Sequence, residues 1–484
     1  MEPSAPSTSL DPTDWSTLRA EGHAMLDAMV DHLAGLRAEP VWRRPPPDVE
    51  ATFTERLPLE PTPLEAVAAR FFRDILPYHS GNAHPGFMGW VQGGGTAVGM
   101  LAEMLAAGMN ANLGGRHHMA IAVEKQVVQW SRELFGFPAT AGGLFLTGSS
   151  QANLLGVLIA RTRAFGPQVR FRGLARLGQR LTAYAATSVH ACVPRAMEIA
   201  GLGGDQLRLI PVDSGQRMEL AALREAITRD RASGLQPFLV VGTAGSVDVG
   251  AIDPLSELAR IAKTEGMHFH IDGALGALAM LAPSLAPRFT GIERAGSLAF
   301  DWHKWAQVPY DAGFLLVRDS ALQRATFATE AAYLRRAGQG LAGGAWWPCD
   351  DGPDLSRGFR ALKVWFALKT YGAAAIGRSI ANSVALASDL ARRIAAEPAL
   401  ELLAPVPLNI VCFACRGAEA DRRNADIVAT LHETGKVAPS LTCIDGRVTI
   451  RAALVNHRTT EADCTALVDS VMERIRAQVV PQAA

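Results

Sequence analysis

Lys304 is the residue of this chain whose type and surroundings point most clearly to chemistry. It lies among apolar side chains and next to His303, in the segment 299–305. Burial among apolar groups lowers the pKa of a lysine, and the neutral amine can attack an aldehyde to form a Schiff base. A lysine beside tryptophans can also be a surface residue whose stem covers an aromatic ring. Other segments must therefore decide between the two interpretations.

An acidic residue ends an apolar segment upstream of this lysine. Residues 267–271 are predicted to form a strand that delivers Asp272 to the edge where open α/β sheets bind ligands. A carboxylate there can keep a pyridine ring nitrogen protonated, so that the ring draws electrons from a substrate carbon. Asp272 and Lys304 together predict pyridoxal 5'-phosphate as the cofactor.

The same strand permits an alternative from another class of protein. Alternation along a strand places His268, His270 and Asp272 on one face, which is the pattern of a metal site. A metal-dependent hydrolase could use these three ligands. No further His or Cys cluster nearby supplies the remaining ligands, so we expect no metal.

A turn of small residues could hold a phosphate. Residues 142–153 are expected to form a short strand, a turn and the start of a helix, with Gly148, Ser149 and Ser150 in the turn. Backbone N–H groups and hydroxyls at a helix start can bind a phosphate dianion. Taken alone, such a turn is usually an ordinary helix cap.

A histidine follows another strand. Residues 183–189 are expected to form this strand, and His190 comes directly after it. An imidazole there can stack on a flat cofactor ring and can take part in proton transfer. A capping or core histidine is the alternative, and the functional interpretation depends on the segments described above.

The order of these segments resembles the group II pyridoxal-phosphate decarboxylases, which include the aromatic amino acid, histidine and glutamate decarboxylases. The similarity runs from about Asp14 to about Ile475. Its most specific parts are residues 270–272 and 303–305. The resemblance implies that Lys304 forms the Schiff base with the cofactor. It also implies the other cofactor contacts: Gly148, Ser149, Ser150, His190, Thr243, Asp272, Ala274 and His303. The catalytic residues it implies are Lys304, His190 and Asp272.

The resemblance also implies an activity and an assembly. The expected reaction is the decarboxylation of an L-amino acid, preferably an aromatic one, to the amine and carbon dioxide. The family implies a homodimer in which the partner subunit completes each active site. The expected partners are therefore a small amino acid and a second copy of the chain.

The expected architecture is α/β, with the fold type I of PLP-dependent transferases. Alternating strand and helix patterns predict a mainly parallel central sheet. We expect an N-terminal helical arm over residues 1–83, a large cofactor-binding domain over 84–371 and a small α+β domain over 372–484. Prolines interrupt the arm, which therefore cannot form its own core.

The substrate pocket is predicted from one segment and one separate residue. His84, Phe87 and Trp90 lie in a segment similar to the family's pocket, and the two aromatic rings would form a wall. Glycines at 93–95 and Asn112 would make the site roomier and more polar.

Residues 338–352 occupy the place of the family's mobile catalytic loop and contain no tyrosine. In many relatives a loop tyrosine protonates the α-carbon after carbon dioxide leaves. His190 or a partner residue could replace it. Alternatively, the intermediate could react with oxygen and give an aldehyde, as some relatives do.

Composition supports small-molecule chemistry. The chain has 484 residues, 47 basic and 47 acidic side chains, and a net charge of zero, so no overall field draws it to nucleic acid or to an anionic membrane. Its six cysteines show no paired spacing of the zinc type, which favours reduced thiols. No apolar run is long enough to span a bilayer, and the N-terminus does not resemble a signal peptide, so we expect a cytoplasmic protein.

Overall fold

The computed structural model describes residues 9–176, 178 and 180–479. Its strands are β1 (Phe87–Met88), β2 (Gly142–Leu146), β3 (Leu181–Ala186), β4 (Leu207–Ile210), β5 (Gln236–Thr243), β6 (His268–Asp272), β7 (Ser297–Asp301), β8 (Gly313–Val317), β9 (Leu400–Leu402), β10 (Ile410–Cys415), β11 (Ala438–Ile444) and β12 (Arg447–Ala453). Its α-helices are α1 (Trp15–Gly35), α2 (Pro47–Ala51), α3 (Leu64–Arg70), α4 (Ala97–Met109), α5 (Met119–Phe135), α6 (Ser149–Phe165), α7 (Val169–Arg172), α8 (Cys192–Ile199), α9 (Leu220–Ala232), α10 (Leu255–Glu265), α11 (Trp302–Trp305), α12 (Ser320–Phe327), α13 (Arg360–Tyr371), α14 (Ala373–Ala396), α15 (Ala420–Thr434) and α16 (Glu461–Val479).

The central sheet has seven strands in the order β2-β8-β7-β6-β5-β3-β4. The pairs from β7 through β6, β5 and β3 to β4 are parallel, whereas β8 is antiparallel to both of its neighbours. Strands β3, β6, β7 and β8 are buried along their whole length, as expected of a sheet covered on both faces. The prediction of a mainly parallel sheet in an α/β fold is confirmed.

A second sheet has five strands in the order β1-β11-β12-β10-β9. The sequence predicts strands over residues 409–414 and 447–454 and a helix over 425–432, and the structure has β10, β12 and α15 there, within about five residues of those limits. Strand β11 was missed, because three of its seven residues are not buried and its pattern is a weak strand signal. The short strand β1 pairs in parallel with β11, so the predicted pocket segment joins the C-terminal sheet. The exact domain limits remain a prediction.

The N-terminal helices lie on the outside of the chain. Helix α1 has no buried residue, although apolar side chains recur along it. The sequence of the arm predicts a helix over residues 64–75, and the structure has α3 followed by a π-helical turn, Phe71–Ile75. Among the described residues, no helix combines the length and the apolar character that crossing a bilayer requires.

Aromatic packing fixes the end of β7. The Phe300 ring lies 4.9 Å from the Phe135 ring and 5.1 Å from the Phe314 ring, measured between centroids. Trp302 and Trp305 of α11 are each only 1% exposed. Because both tryptophans are held in the core, the short helix carries Lys304 at a fixed position beyond the sheet.

Candidate active site

The predicted site residues come together at one edge of the central sheet. Strands β5 and β6 are paired so that Thr243 lies beside Asp272. Lys304 follows β7, the next strand along the sheet. A cavity of about 490 Å³ lies at this edge and includes Lys304 and Asp272 in its lining. The other predicted cofactor residues that line it are Gly148, Ser149, Ser150, His190, Thr243, Ala274 and His303.

The charge state of Lys304 differs from the prediction. Burial alone lowers its pKa, but the Asp301 carboxylate lies 2.8 Å from its Nζ, with Asp272 also nearby. The net result is a pKa above the ordinary value of a lysine. The expectation of a depressed pKa was wrong in this structure, because a buried carboxylate offsets the desolvation of the ammonium group.

Asp301 was not identified as a functional residue from the sequence. It is 2% exposed, and its second carboxylate oxygen accepts a hydrogen bond of 2.8 Å from the backbone N–H of Ser149. One carboxylate thus connects the amine of Lys304 to the first residue of α6. The available signal was its position three residues before Lys304, because on a helical turn this spacing brings the two side chains together.

The residues present fit a phosphorylated cofactor. The hydroxyls of Ser149 and Thr243 are buried at the cavity and have no hydrogen-bond partner in the described part of the chain. Ser149 also begins α6, a helix of 17 residues whose N-terminal end favours an anion. Buried hydroxyls without partners are costly, and the polar atoms of a bound phosphorylated cofactor would satisfy them.

Asp272 is the buried carboxyl group at the end of β6. Burial raises its pKa, whereas a hydrogen bond of 3.1 Å from the Ala274 N–H and the charge of Lys304 oppose that effect. A cationic ring nitrogen placed beside this group would favour its ionised form. The arrangement therefore suits a pyridinium partner.

Thr243 is held in place by a second buried carboxyl group. Asp253 accepts hydrogen bonds of 2.7 Å from the backbone N–H groups of Thr243 and Met218. Burial raises the pKa of Asp253 to about 6. Its role is to position the strand end rather than to line the cavity.

His190 has an exposed ring at the cavity. Its Nδ1 accepts a hydrogen bond of 3.2 Å from the backbone N–H of Cys192, which restricts the direction of the imidazole. The Cys192 thiol also lines the cavity, and burial raises its pKa to about 12, so the group is a neutral thiol. The sequence analysis gave Cys192 no functional role.

The two histidines of β6 are occupied by hydrogen bonds. The Ser297 hydroxyl lies 2.8 Å from His268 Nε2 and 2.7 Å from His270 Nδ1. His270 Nε2 lies 2.7 Å from the Asn153 amide oxygen, and the Asn153 amide donates to the Cys192 sulfur over 3.2 Å. The described residues contain no His, Cys, Asp and Glu group able to hold a metal. These contacts do not support the metal-hydrolase interpretation.

His303 connects the lysine segment to β8. Its Nδ1 accepts a hydrogen bond of 2.9 Å from the Ala312 N–H, and burial lowers its pKa to about 4. The ring of Tyr310 lies 4.4 Å from the His303 ring between centroids and also lines the cavity. Burial raises the pKa of Tyr310, so its phenol is protonated at neutral pH. Tyr310 is a second residue that the sequence analysis missed.

Glycine is required where the chain passes over the lysine segment. A Cβ atom added at Gly93 would lie 2.1 Å from the carbonyl oxygen of His303 and 2.6 Å from that of Lys304. Gly93 therefore serves close backbone packing.

Of the predicted substrate-pocket residues, Trp90 lines the cavity and three others do not. Trp90 has a backbone φ of 48°, a strained value for a bulky residue, and such strain concentrates at functional sites. Phe87 is buried behind it, with the rings 6.1 Å apart. His84 is buried, and its Nδ1 accepts from the Gly86 N–H. Asn112 instead accepts hydrogen bonds from the Gly114 and Arg357 N–H groups.

The C-terminal sheet closes the cavity from the other side. Arg451 of β12 is 3% exposed and donates to the carbonyl oxygens of Trp90 and Asp248, each over 3.2 Å. Ser440 of β11 also lines the cavity. A buried arginine within an apolar strand was the available sequence signal for this contribution.

Residues 338–352 contact other segments of the same chain, and none of these described residues lines the cavity. The Trp347 ring is 1% exposed, and the Arg116 guanidinium lies 4.5 Å from its centroid. The Trp346 indole donates to Asp351 over 2.6 Å. The function of this segment as a mobile catalytic loop remains a prediction.

Comparisons with known proteins agree with this geometry. Residues 46–416 match the family model described as the pyridoxal-dependent decarboxylase conserved domain. The chain is 30% identical to an aromatic-L-amino-acid decarboxylase of Bacillus atrophaeus, covering 92% of each chain. It is 27% identical to a phenylacetaldehyde synthase of Arabidopsis thaliana, covering 92% of this chain and 93% of the relative. The crystal structure of Oryza sativa TDC with PLP and tryptamine superposes with a TM-score of 0.89 at 24% identity, covering 98% of this chain and all of the other, and supports the fold. The chain belongs to the family of pyridoxal-dependent decarboxylases, as the sequence predicted, and it is a PLP-dependent carboxy-lyase that acts on an amino acid.

Proposed function

We propose that this enzyme decarboxylates an aromatic L-amino acid to the corresponding amine. The observation that carries the proposal is the cavity in which Lys304 and Asp272 face the same space. Trp90 at its mouth offers an aromatic ring to the substrate side chain. The Bacillus atrophaeus relative, described as acting on aromatic L-amino acids, supports the substrate class.

The predicted site residues that line the cavity have the following proposed roles. Lys304 is the amine that holds the cofactor, Asp272 faces the ring nitrogen, and His190 covers the ring. Pyridoxal phosphate, when bound, accepts the electrons left behind as carbon dioxide departs. The remaining proposed cofactor contacts are Gly148, Ser149, Ser150, Thr243, Ala274 and His303.

A panel of amino acids tests the proposed activity. The purified holoenzyme is offered aromatic, acidic, basic and aliphatic L-amino acids, while carbon dioxide, amine and peroxide are measured together. We expect carbon dioxide and amine from one or more aromatic substrates. Lys304→Ala should lose the yellow colour of the bound cofactor and the activity together. Turnover of acidic or aliphatic amino acids alone would contradict the aromatic assignment.

Aldehyde formation is the second candidate, and one observation favours it. Residues 338–352 lack the tyrosine expected to protonate the substrate carbon. Tyr310 supplies the only phenol among the described residues of the cavity, and we propose it as the proton donor for amine formation. In the same panel, Tyr310→Phe should shift the products from amine toward aldehyde and peroxide. Peroxide in proportion to carbon dioxide from the unmodified enzyme would instead establish the aldehyde-forming reaction.

A homodimer is the proposed assembly. Helix α4 exposes four large apolar side chains, Leu101, Met104, Leu105 and Met109, which are between 38% and 53% accessible in the single chain. A patch of this kind is typical of a protein interface. Sedimentation of the enzyme should give twice the chain mass, and Met104→Asp with Leu105→Asp should shift it toward the monomer. A monomeric unmodified enzyme would refute the assembly.

We propose a cytoplasmic location. All six cysteines are free in the described chain, and only Cys443 is exposed, which suits a reducing compartment. Fractionation of cells that produce the tagged chain should recover it with cytoplasmic marker enzymes.

A further inference from the structure

A second cavity lies at the opposite edge of the central sheet. It has a volume of about 630 Å³ and includes Met267 and His268, where β6 begins, and Val317, where β8 ends. Asp272 is four residues further along β6 than His268, about 13 Å away at the rise of a β-strand. The cavity is therefore separate from the one that contains Lys304.

The floor of this cavity is apolar and its rim is cationic. Ala262, Met267, Phe269 and Val317 contribute the floor. Five basic side chains surround it, against a single carboxylate, Asp319. The basic residues are Arg163, Arg260, Lys263, Arg294 and Arg318. Since the whole chain has no net charge, this is a local excess of positive charge.

Two of these basic side chains already have partners within the protein. Arg294 pairs with Glu293 over 3.1 Å, and Arg318 donates to the Ala295 carbonyl over 2.8 Å. Asp319 accepts hydrogen bonds from two backbone N–H groups at the start of α12. The Asp319 carboxylate thus caps the start of α12 and is not paired with the basic side chains of the cavity.

Three cations remain available for a ligand. The exposed side chains of Arg260 and Lys263 make no hydrogen bond or ion pair with any described residue. Arg163 donates only to the Gly266 carbonyl, over 3.1 Å. Two guanidinium groups and one ammonium around an apolar floor fit a dianion better than a single carboxylate. Arginine in particular binds phosphate through paired hydrogen bonds.

We propose that this cavity is a second ligand site, which binds a phosphate monoester whose organic part carries a flat aromatic ring, as in a nucleoside monophosphate. The phosphate lies against Arg163, Arg260 and Lys263, and the ring lies on the floor near Phe269. The volume falls within the usual range of small-molecule sites. The site lies beyond the far end of the sheet, so its ligand does not compete with the cofactor for Ser149 and Thr243.

Equilibrium binding to the cofactor-saturated enzyme tests this site. The probes are adenosine 5'-monophosphate, adenosine and inorganic phosphate. We expect the monophosphate to bind with a dissociation constant below about 1 mM, and each of the other probes to bind at least about tenfold more weakly. Arg260→Ala with Lys263→Ala should weaken binding of the monophosphate at least about tenfold, without changing the decarboxylation rate.

A matched pair of substitutions controls for the loss of charge. Arg224→Ala with Lys125→Ala removes one exposed arginine and one exposed lysine from other helices, and it should leave binding unchanged. Absence of binding at about 10 mM of the monophosphate, or equal affinity in the Arg260/Lys263 variant, would overturn the proposal. Binding that occurs only without the cofactor would overturn it too, because the ligand would then occupy the catalytic cavity.

Discussion

At the scale of single residues, Asp301 controls the reactivity of Lys304. Its carboxylate contacts the amine on one side and the Ser149 N–H on the other. The amine is consequently protonated over a wider pH range than an isolated buried lysine would be. In the role proposed for Lys304, capture of the cofactor requires its proton to leave toward Asp301 or solvent.

Replacing this carboxylate should change how the apoprotein captures its cofactor. Asp301→Asn keeps an oxygen that can accept from Ser149 but removes the negative charge. The pKa of Lys304 should fall, because the carboxylate charge that stabilises its ammonium form is gone. The rate at which the apoprotein and pyridoxal phosphate develop the yellow colour, followed against pH, should shift its midpoint downward accordingly. An unchanged midpoint would show that Asp301 has only a structural role.

The spacing of His268 and His270 along β6 suggested metal ligands, and the structure gives these rings other partners. His268 and His270 lie on the same face as Asp272, as the alternation predicted, but each ring contacts Ser297. Burial lowers the pKa of both histidines to about 3, so they are neutral. Their shared partner, Ser297, belongs to β7. The sequence alone does not show that β7 lies beside β6, because strand order is a property of the folded sheet.

At the scale of secondary structure elements, one buried ion pair fixes the segment before α13. Arg357 and Glu124 of α5 lie 2.6 Å apart, and their side chains are 1% and 0% exposed. Arg357 also donates to the carbonyl oxygens of Leu113 and Phe145, each over 2.9 Å. Since Phe145 belongs to β2, these hydrogen bonds join the segment to the strand that precedes Gly148, Ser149 and Ser150.

Breaking this pair should be costly. Glu124→Gln leaves the Arg357 guanidinium buried without a counter-charge, and the free energy of unfolding should fall by about 3–5 kcal/mol. Asp426→Asn is the control, because its pair with Arg422 is exposed on the surface of α15 and should change stability by less than about 1 kcal/mol. Urea unfolding of the three proteins measures both values. Equal effects of the two substitutions would contradict the assigned role of the buried pair.

At the scale of the whole molecule, the catalytic cavity lies between the two sheets. The central sheet contributes Lys304 and Asp272, whereas the C-terminal sheet contributes Ser440 and Arg451. Strand β1 carries the chain from one sheet to the other close to Trp90.

Buried titratable groups predict how stability depends on pH. Burial lowers the pKa of His268 and His270 to about 3 and that of His303 and His457 to about 4. In the opposite sense, burial raises the pKa of Asp253 and Asp351 to about 6. Between pH 6 and 5 the histidines gain protons on unfolding and the two carboxyls lose them. The four histidines outnumber these carboxyls even when Asp272, whose pKa burial also raises, is added to them, so unfolding takes up protons overall.

The apoprotein should therefore lose stability as the pH falls from 6.5 to 5. The expected slope is roughly 1–3 kcal/mol per pH unit, measured by urea unfolding at several pH values. His457→Gln removes one of the four histidines and should make the slope shallower. Stability that rises as the pH falls through this range would show that the carboxyl groups dominate.

The sequence by itself determined the cofactor and the fold class, and it predicted Lys304 as the reactive amine and Asp272 as the partner of the ring nitrogen. Residue types and their spacing within a segment encode these features, because helical and strand periodicity is a local property. Tertiary structure alone decided that Asp301 accepts a hydrogen bond from the Ser149 N–H, that Arg451 reaches the cavity from β12, and that five cations meet around a second cavity. These facts depend on which distant segments become neighbours, and neighbours are set by strand order, register and packing of the whole chain.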